Sequence, residues 1–403
     1  MNEVVIASAA RTAIGTYGKS LGGVPPSDLG AAAATAAMER AGIEPEQVET
    51  VVFGNVIHTE PGDMYMGRLV GMKAGIPKET PGYTLNRLCG SGVQAIVSAA
   101  QQIQTGDAEV AVAGGAESMS RGPYWVQSAR WGARMGETPM IDAVMGCLTD
   151  PFGHVLMGVT AENLAEQGPI SRERQDAFAV ESHRRAAAAR KAGVFDEEIV
   201  PVEIKVKREK VQFARDEHIR EDASMEGMAK LKPAFKPDGT VTAGNSSGMN
   251  DAGAAVVLMS ADKAKELGAP VRAKILAYAT CGVDPSIMGI GPVSAVQKVL
   301  DRAGRSLDEI GVIELNEAFA AQSLAVIDGL GLDTDKVNPN GGGIALGHPI
   351  AATGAAITTK ILYEMERRDH ELGLVTLCIG GGQGIAMLLG RNGACAFWSS
   401  LPT

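Results

Sequence analysis

Cysteine is scarce and poorly placed for a scaffold. There are five (Cys89, Cys147, Cys281, Cys378, Cys395), widely spaced, with no CxxC pair and no histidine spacing suited to zinc. Neither a disulfide framework nor a metal is expected. The opening MNEVVIASAARTAIG lacks the basic region and long apolar stretch of a secretory signal, so a cytoplasmic location is expected. Positive charge is not in excess either: the formal net charge is −10, which repels nucleic acid and anionic lipid and removes both as expected partners. No clean membrane span is present. The one uncharged run, 372–390, carries six glycines among its nineteen residues. Its central GGGQG points to two buried strands joined by a turn. Phosphate-loop chemistry finds little support, since there is no GxxxxGK[ST] and no GxGxxG placed between a strand and a downstream acid.

What is present is a globular α/β composition. The 403 residues are 45% hydrophobic and 21% charged, enough for two to three domain-sized units with a substantial core. Glycine stands at 50 where average usage gives about 28, so some part of the backbone needs unusual freedom. The segment 201–240, with nine Lys/Arg against eight Asp/Glu, is a candidate anion-holding patch or equally a solvated face.

Along the chain, EVVIASAA reads as a buried strand, SDLGAAAATAAMERAG as a helix and VETVVFGNV as a second strand, an alternation that implies a parallel-centred sheet. The order returns later. MERAGIEPEQVETVV from Met38 aligns without gaps on LDRAGRSLDEIGVI from Leu300, an offset of 262, and CGSGVQAI from Cys89 falls on AATGAAIT from Ala351 at the same offset. Two similar α/β halves are inferred. Between them, 121–248 has another texture and reads as an insertion carried by the first half. SSGMNDAGAAVVLMS then re-enters the sheet, so the expected units are 1–120 with 249–270, the inserted 121–248, and 271–403.

Cys89 lies at a strand-to-helix turn, where the positive end of a helix would lower a thiol pKa; an inert core cysteine is the other reading. His348 ends a glycine-rich approach before another helix and could take a proton from a thiol of the other half, or be structural. Cys378 sits at a strand end beside glycines whose N–H groups could bind an oxyanion, or packs in the core. Asn316 and Glu317 follow the strand GVIEL, where a helix N-cap is the plainer reading.

The segments NRLCGSG, NEAFAAQ, GHP and CIGGGQG, in this order and spacing, closely resemble the thiolase family, as do ARTAIG, FGNVIHTEPGDMYMGR, GGAESMSR, MGVTAEN and TVTAGNSSGMNDA across nearly the whole chain. The resemblance implies two βαβαβαββ halves in an α/β/α/β/α layering with an inserted loop domain, and a homotetramer built as a dimer of dimers. It implies Cys89 as nucleophile, His348 as its activator and Cys378 as the group exchanging a proton with an α-carbon. Asn316 would hold a water that serves one oxyanion site with His348, and the N–H groups of Cys89 and Gly380 would form the other. Coenzyme A and acyl-CoA would be substrates, with no cofactor and no metal. Arg220 would lie near the adenine and Ser247 near the pantetheine, with Leu148, Met157, Ala243, Phe235, Ala318 and Phe319 along the channel and Met288 at the acyl end. Short-chain 3-ketoacyl-CoA is the expected substrate class.

Two positions depart from the family pattern. Leu156 stands where a histidine usually precedes MG, with His154 two residues earlier as a possible substitute. Ala351 replaces the glycine of GHPIG, which strains the site if that position needs positive φ and otherwise favours the helix. These departures leave a catalytically impaired CoA-binding subunit as an alternative. A related ketoacyl synthase would carry histidine at 378. The tail GRNGACAFWSSLPT reads as an appendage.

Overall fold

The C-terminal ends of paired helices repeat with the 262-residue offset. In the computed structural model, which describes residues 2–391, helix α1 (Pro26–Ala41) begins with proline and stops at Gly42, whose φ of 65° gives the left-handed cap that favours glycine. Its counterpart in the second half runs Gly291–Ala303, with Pro292 in the first turn and Gly304 at φ 60° as its cap. After each helix comes a single 3₁₀ turn, Pro45–Gln47 and Leu307–Glu309, and then a buried strand. The duplication read from sequence is thus repeated in backbone geometry.

Nine principal strands form one large sheet: β1 (Val4–Thr12), β2 (Thr50–Gly54), β3 (Gly82–Leu85), β4 (Val110–Ser118), β5 (Asn250–Ser260), β6 (Ala273–Gly282), β7 (Val312–Leu315), β8 (Leu372–Ile379) and β9 (Gln383–Gly390). Their spatial order is β7-β8-β9-β6-β1-β5-β4-β2-β3. The two half-sheets join where β1 meets β6, through the two antiparallel pairs Val5↔Lys274 and Ile6↔Ala273. The uncharged run 372–390 is the buried hairpin β8–β9, as its glycine-rich middle indicated.

Apolar packing divides into layers because each half-sheet is covered on both faces. On the outer face of the first half, Ala33, Ala37 and Met38 of α1 pack on Val5, Val51, Phe53 and Val257. On the outer face of the second, Val296 and Val299 pack on Leu276, Ile313, Leu374 and Leu388. Between the two half-sheets lie the central helices α2 (Ser91–Thr105) and, in the second half, Ile350–Arg367. Val93 and Ile96 share one core with Ile361, Met365, Val256, Val375 and Met387. The α/β/α/β/α layering is therefore present. The excess glycine acts here through close approach: a Cβ on Gly92 would stand 2.5 Å from the Ala355 nitrogen, and one on Gly354 2.5 Å from the Val93 nitrogen.

The stretch between β4 and β5 carries helix α3 (Met157–Gln167), helix α4 (Arg172–Lys191) and two short hairpins. Arg11 of β1 anchors it through fully buried pairs with Asp216 (2.8 Å) and Glu198 (2.6 Å). The hairpin around Trp125 leaves Tyr124, Trp131, Met135 and Met140 exposed. The basic character of 201–240 does not make one patch, since Lys210 pairs with Glu203 and Lys230 with Glu226. In the terminal stretch Gly390 closes β9 and Arg391 donates to the Glu371 carbonyl, and 392–403 lie outside the described residues. Among the described residues no helix is long and apolar enough to cross a membrane. Numbering the remaining helices in order, Gly291–Ala303 is α5, Ala320–Leu330 is α6 and Ile350–Arg367 is α7.

Candidate active site

Cys89 occupies the 3₁₀ turn Leu88–Gly90 that leads into α2. The turn is tight: Leu88 has φ 48°, uncommon for a residue with a side chain. Ser91 braces it, its hydroxyl accepting from the Arg87 N–H (2.8 Å) and donating to the Leu88 carbonyl (2.7 Å). The thiol is not lowered as the helix-end argument expects. Burial pushes it up to about 11, against N–H groups of Gly380 and of Cys89 itself that favour thiolate, and the Glu117 carboxylate pushes it up further. Desolvation outweighs the helix end.

His348 sits between Gly347 (φ 109°) and the start of α7. Its backbone N–H donates to Asn250 Oδ1 (3.0 Å), and Nδ1 shares a 2.7 Å hydrogen bond with Thr353 Oγ1. Nε2 is buried with no protein partner. Burial lowers its pKa to about 4, so the imidazole is neutral near pH 7 and able to accept a proton.

Cys378, at the end of β8, is fully buried, and burial pushes its thiol far up, with Cys89 adding to the shift. It packs with Met157, Met288 and Ala318, flanked by Phe319. Asn316 follows β7, its N–H donating to the Thr376 carbonyl (3.0 Å), while both side-chain amide atoms are buried without a protein partner. The N-cap reading fails. Helix α6 begins only at Ala320, with Phe319 at its cap, and Glu317 instead accepts from Ser182 (2.6 Å), Asn338 (2.8 Å) and the Ile344 N–H (3.2 Å).

A cavity of about 420 Å³ has His348 in its wall, while Cys89, Cys378 and Asn316 do not line it. Leu148, Met157, Arg220, Phe235, Ala243, Ser247 and Phe319 line it, so seven of the nine residues expected at the substrate meet there. Met288 and Ala318 do not line it; they are buried with Cys378 beyond Met157, which belongs to both groups. Phe235 and Phe319 stand edge to face at 5.9 Å. Cys89 packs with Met119 and Ile350, both cavity walls. Two clefts of about 520 and 600 Å³ hold none of these groups, so His348 and the thiols packed behind Met119, Ile350 and Met157, not size, mark the site.

Several neighbours were not anticipated. His218 lines the cavity two residues before Arg220, a spacing that puts both on one side of an extended segment, and burial lowers its pKa to about 4. Cys147 packs in the same cluster as Cys89. Leu156 gives the wall an apolar side chain, and His154 is exposed, away from the cavity wall, so it does not substitute. Ala351 is fully buried within the first turn of α7 and is not among the left-handed residues, so the ordinary-helix alternative holds there. No group of three or more His, Cys, Asp or Glu among the described residues is arranged to hold a metal.

The chain is similar to known proteins over nearly its whole length. The family model for the N-terminal domain of thiolase matches residues 4–262, and that for the C-terminal domain matches 269–391. A beta-ketothiolase of Cupriavidus necator (BktB) is 56% identical over 390 residues, covering 96% of this chain and 99% of the relative. An acetyl-CoA acetyltransferase of Pseudomonas aeruginosa is 51% identical, covering 97% and 100%. Among solved structures, an acetyl-CoA acetyltransferase of Bacillus anthracis aligns with TM-score 0.95 at 48% identity, covering 97% and 99%. Human mitochondrial 3-ketoacyl-CoA thiolase in complex with CoA aligns with TM-score 0.94 at 44% identity, covering 97% and 98%.

Proposed function

Because the chain belongs to the thiolase family and its named relatives are acyltransferases, we propose that it exchanges acyl groups between short-chain 3-ketoacyl-CoA and CoA through a thioester on Cys89. The observation that carries this reading is a neutral His348 with an unpartnered Nε2, in the wall of a cavity beside two thiols, Cys89 and Cys378. A thiol of high resting pKa needs such a base at the moment of attack.

In the cleavage direction, His348 Nε2 takes the Cys89 proton as sulfur attacks the 3-keto carbon. The N–H groups of Cys89 and Gly380, already directed at Sγ, would hold the developing oxyanion. The bond between C2 and C3 then breaks. Its electron pair leaves as the enolate of acetyl-CoA, with charge on the thioester oxygen near His348 and a water held by Asn316, and Cys378 supplies the α-proton. CoA next gives its thiol proton to the Cys378 thiolate and attacks the acyl group on Cys89 with its sulfur; the shortened acyl-CoA forms, and the expelled Cys89 thiolate recovers the proton held by His348. Condensation of two acetyl-CoA is the reverse path.

CoA would lie along the cavity, with exposed Arg220 placed to meet its anionic end and Ser247 its pantetheine. Met288, closed against Cys378, favours short acyl groups. Exposed Trp125, Trp131, Met135 and Met140 favour a homotetramer as the assembly. Free thiols at Cys89, Cys147, Cys281 and Cys378 support a reducing, cytoplasmic setting. The impaired-subunit alternative loses its ground at Ala351, which is unstrained, and Cys378 stands where a ketoacyl synthase would need histidine.

The test is loss of acetoacetyl-CoA on addition of CoA, followed for the native protein and Cys89→Ala with products identified by mass. CoA-dependent acetyl-CoA formation that disappears in the variant is expected. A folded native protein without turnover on acetoacetyl-CoA or longer ketoacyl-CoA rejects the assignment.

A further inference from the structure

Glu117, the penultimate residue of β4, is fully buried and forms no ion pair among the described residues. Four N–H donors surround it instead. Oε1 accepts from the Ile57 N–H (3.0 Å) and Asn55 Nδ2 (3.2 Å), and Oε2 from the Val56 N–H (3.2 Å) and the Ala351 N–H (3.0 Å). Both oxygens are filled by donors, which favour the carboxylate, but burial outweighs them and pushes its pKa up to about 8. Burying a carboxylate without a cation is costly, and such groups gather where chemistry needs them.

The fourth donor crosses between the halves. Helix α7 opens at Pro349 with no side-chain cap of its own, and Ala351 is its second residue. A carboxylate from the first half therefore caps a helix of the second and meets the positive end of its backbone dipole. His348 stands two residues before that helix, and Thr353 in its first turn holds the imidazole. By the 262-residue offset Ala351 is the counterpart of Cys89, so Glu117 caps one of two equivalent helix starts.

We propose that Glu117 is a positioning residue for the reaction: it clamps the start of α7, and His348 with it, to the half that carries Cys89. The inference rests on the assignment of Cys89 and His348 made above.

Two variants test the clamp. Glu117→Gln keeps the shape but turns one acceptor into a donor, and Glu117→Asp is one methylene too short to hold all four donors. In steady-state turnover of acetoacetyl-CoA, kcat should fall at least about tenfold in both while KM changes little. Native kcat in either folded variant, or a loss confined to KM, overturns the proposal. Should Glu117→Gln fail to fold, the turnover of Glu117→Asp decides. An inactive native protein, or an active Cys89→Ala, would reject the catalytic assignment; an active native protein with unaffected Glu117 variants rejects this inference alone.

Discussion

Gly92 and Gly354, 262 residues apart, face each other across the junction of the central helices: a Cβ on either would stand 2.5 Å from the backbone nitrogen of the residue after the other. Neither contact can be relieved by turning a side chain. Glycine to alanine inside a helix gains about 1 kcal/mol in propensity, but overpacking backbone against backbone costs about 3 kcal/mol, so the clash wins. Gly354→Ala should lower the midpoint of thermal unfolding. It should also lower turnover, because α2 and α7 carry Cys89 and His348 at their starts. An unchanged midpoint would show that the helices can separate freely.

Among the described residues Thr353 provides the sole partner of His348 Nδ1. Thr353→Val keeps the shape and strands a buried ring nitrogen, at about 1–3 kcal/mol. With the ring no longer held, kcat should fall about tenfold or more while KM changes little, and Thr353→Ser should restore most of it. Steady-state kinetics of the two variants would separate loss of the hydroxyl from loss of packing.

Met288 closes the space beside Cys378. Met288→Ala should cost about 2–5 kcal/mol of stability and open the acyl end. The ratio of kcat/KM for six-carbon over four-carbon ketoacyl-CoA should rise about tenfold, the scale of one or two methylenes in an apolar pocket. An unaltered ratio would place the chain-length limit elsewhere.

His183 is buried, accepts the Arg220 N–H at Nδ1 (3.2 Å), and is held at a pKa of about 4, chiefly by burial and then by His218 and Arg220. The unfolded chain takes up this proton near 6.5 and the folded one only near 4. Its contribution is therefore complete above pH 6.5 and lost as pH falls from there to about 4, by at most about 1.4 kcal/mol per pH unit. His183→Gln should flatten the fall in unfolding free energy across that window, measured by urea titration at pH 4.5, 5.5 and 6.5. Glu117 and Glu314, which burial pushes up to about 8 and 7, oppose this trend equally in both proteins and cancel in the comparison.

Much of the architecture was legible because the repeat is written in helix ends: Gly42 and Gly304, Pro45 and Leu307, Cys89 and Ala351 keep one offset in sequence and in space. The reactive groups were legible because each stands at a strand or helix end amid glycines. The protonation of Cys89 was not, since a helix start can be read from spacing while desolvation by residues such as Met119 and Ile350 arises only when distant segments meet. Glu117 escaped for the same reason: in GGAES it looks like the polar end of a strand, and its fourth donor lies 234 positions away. The reading of Asn316 as a cap failed because α6 starts four residues later.

The placement of β5 between β1 and β4 also dictates an order of assembly during synthesis. The first half-sheet is missing an interior strand until residue 260 has been made, since Val4 pairs with Ser260 and Val110 with Met259. At ribosomal speeds that wait is on the order of tens of seconds, with the strand edges that β5 will occupy unpaired meanwhile. The second half-sheet, from Ala273 to Gly390, is continuous in the chain and has no such gap to wait for. The half bearing the nucleophile is thus the one exposed to mispairing on the ribosome, although its strands are made first.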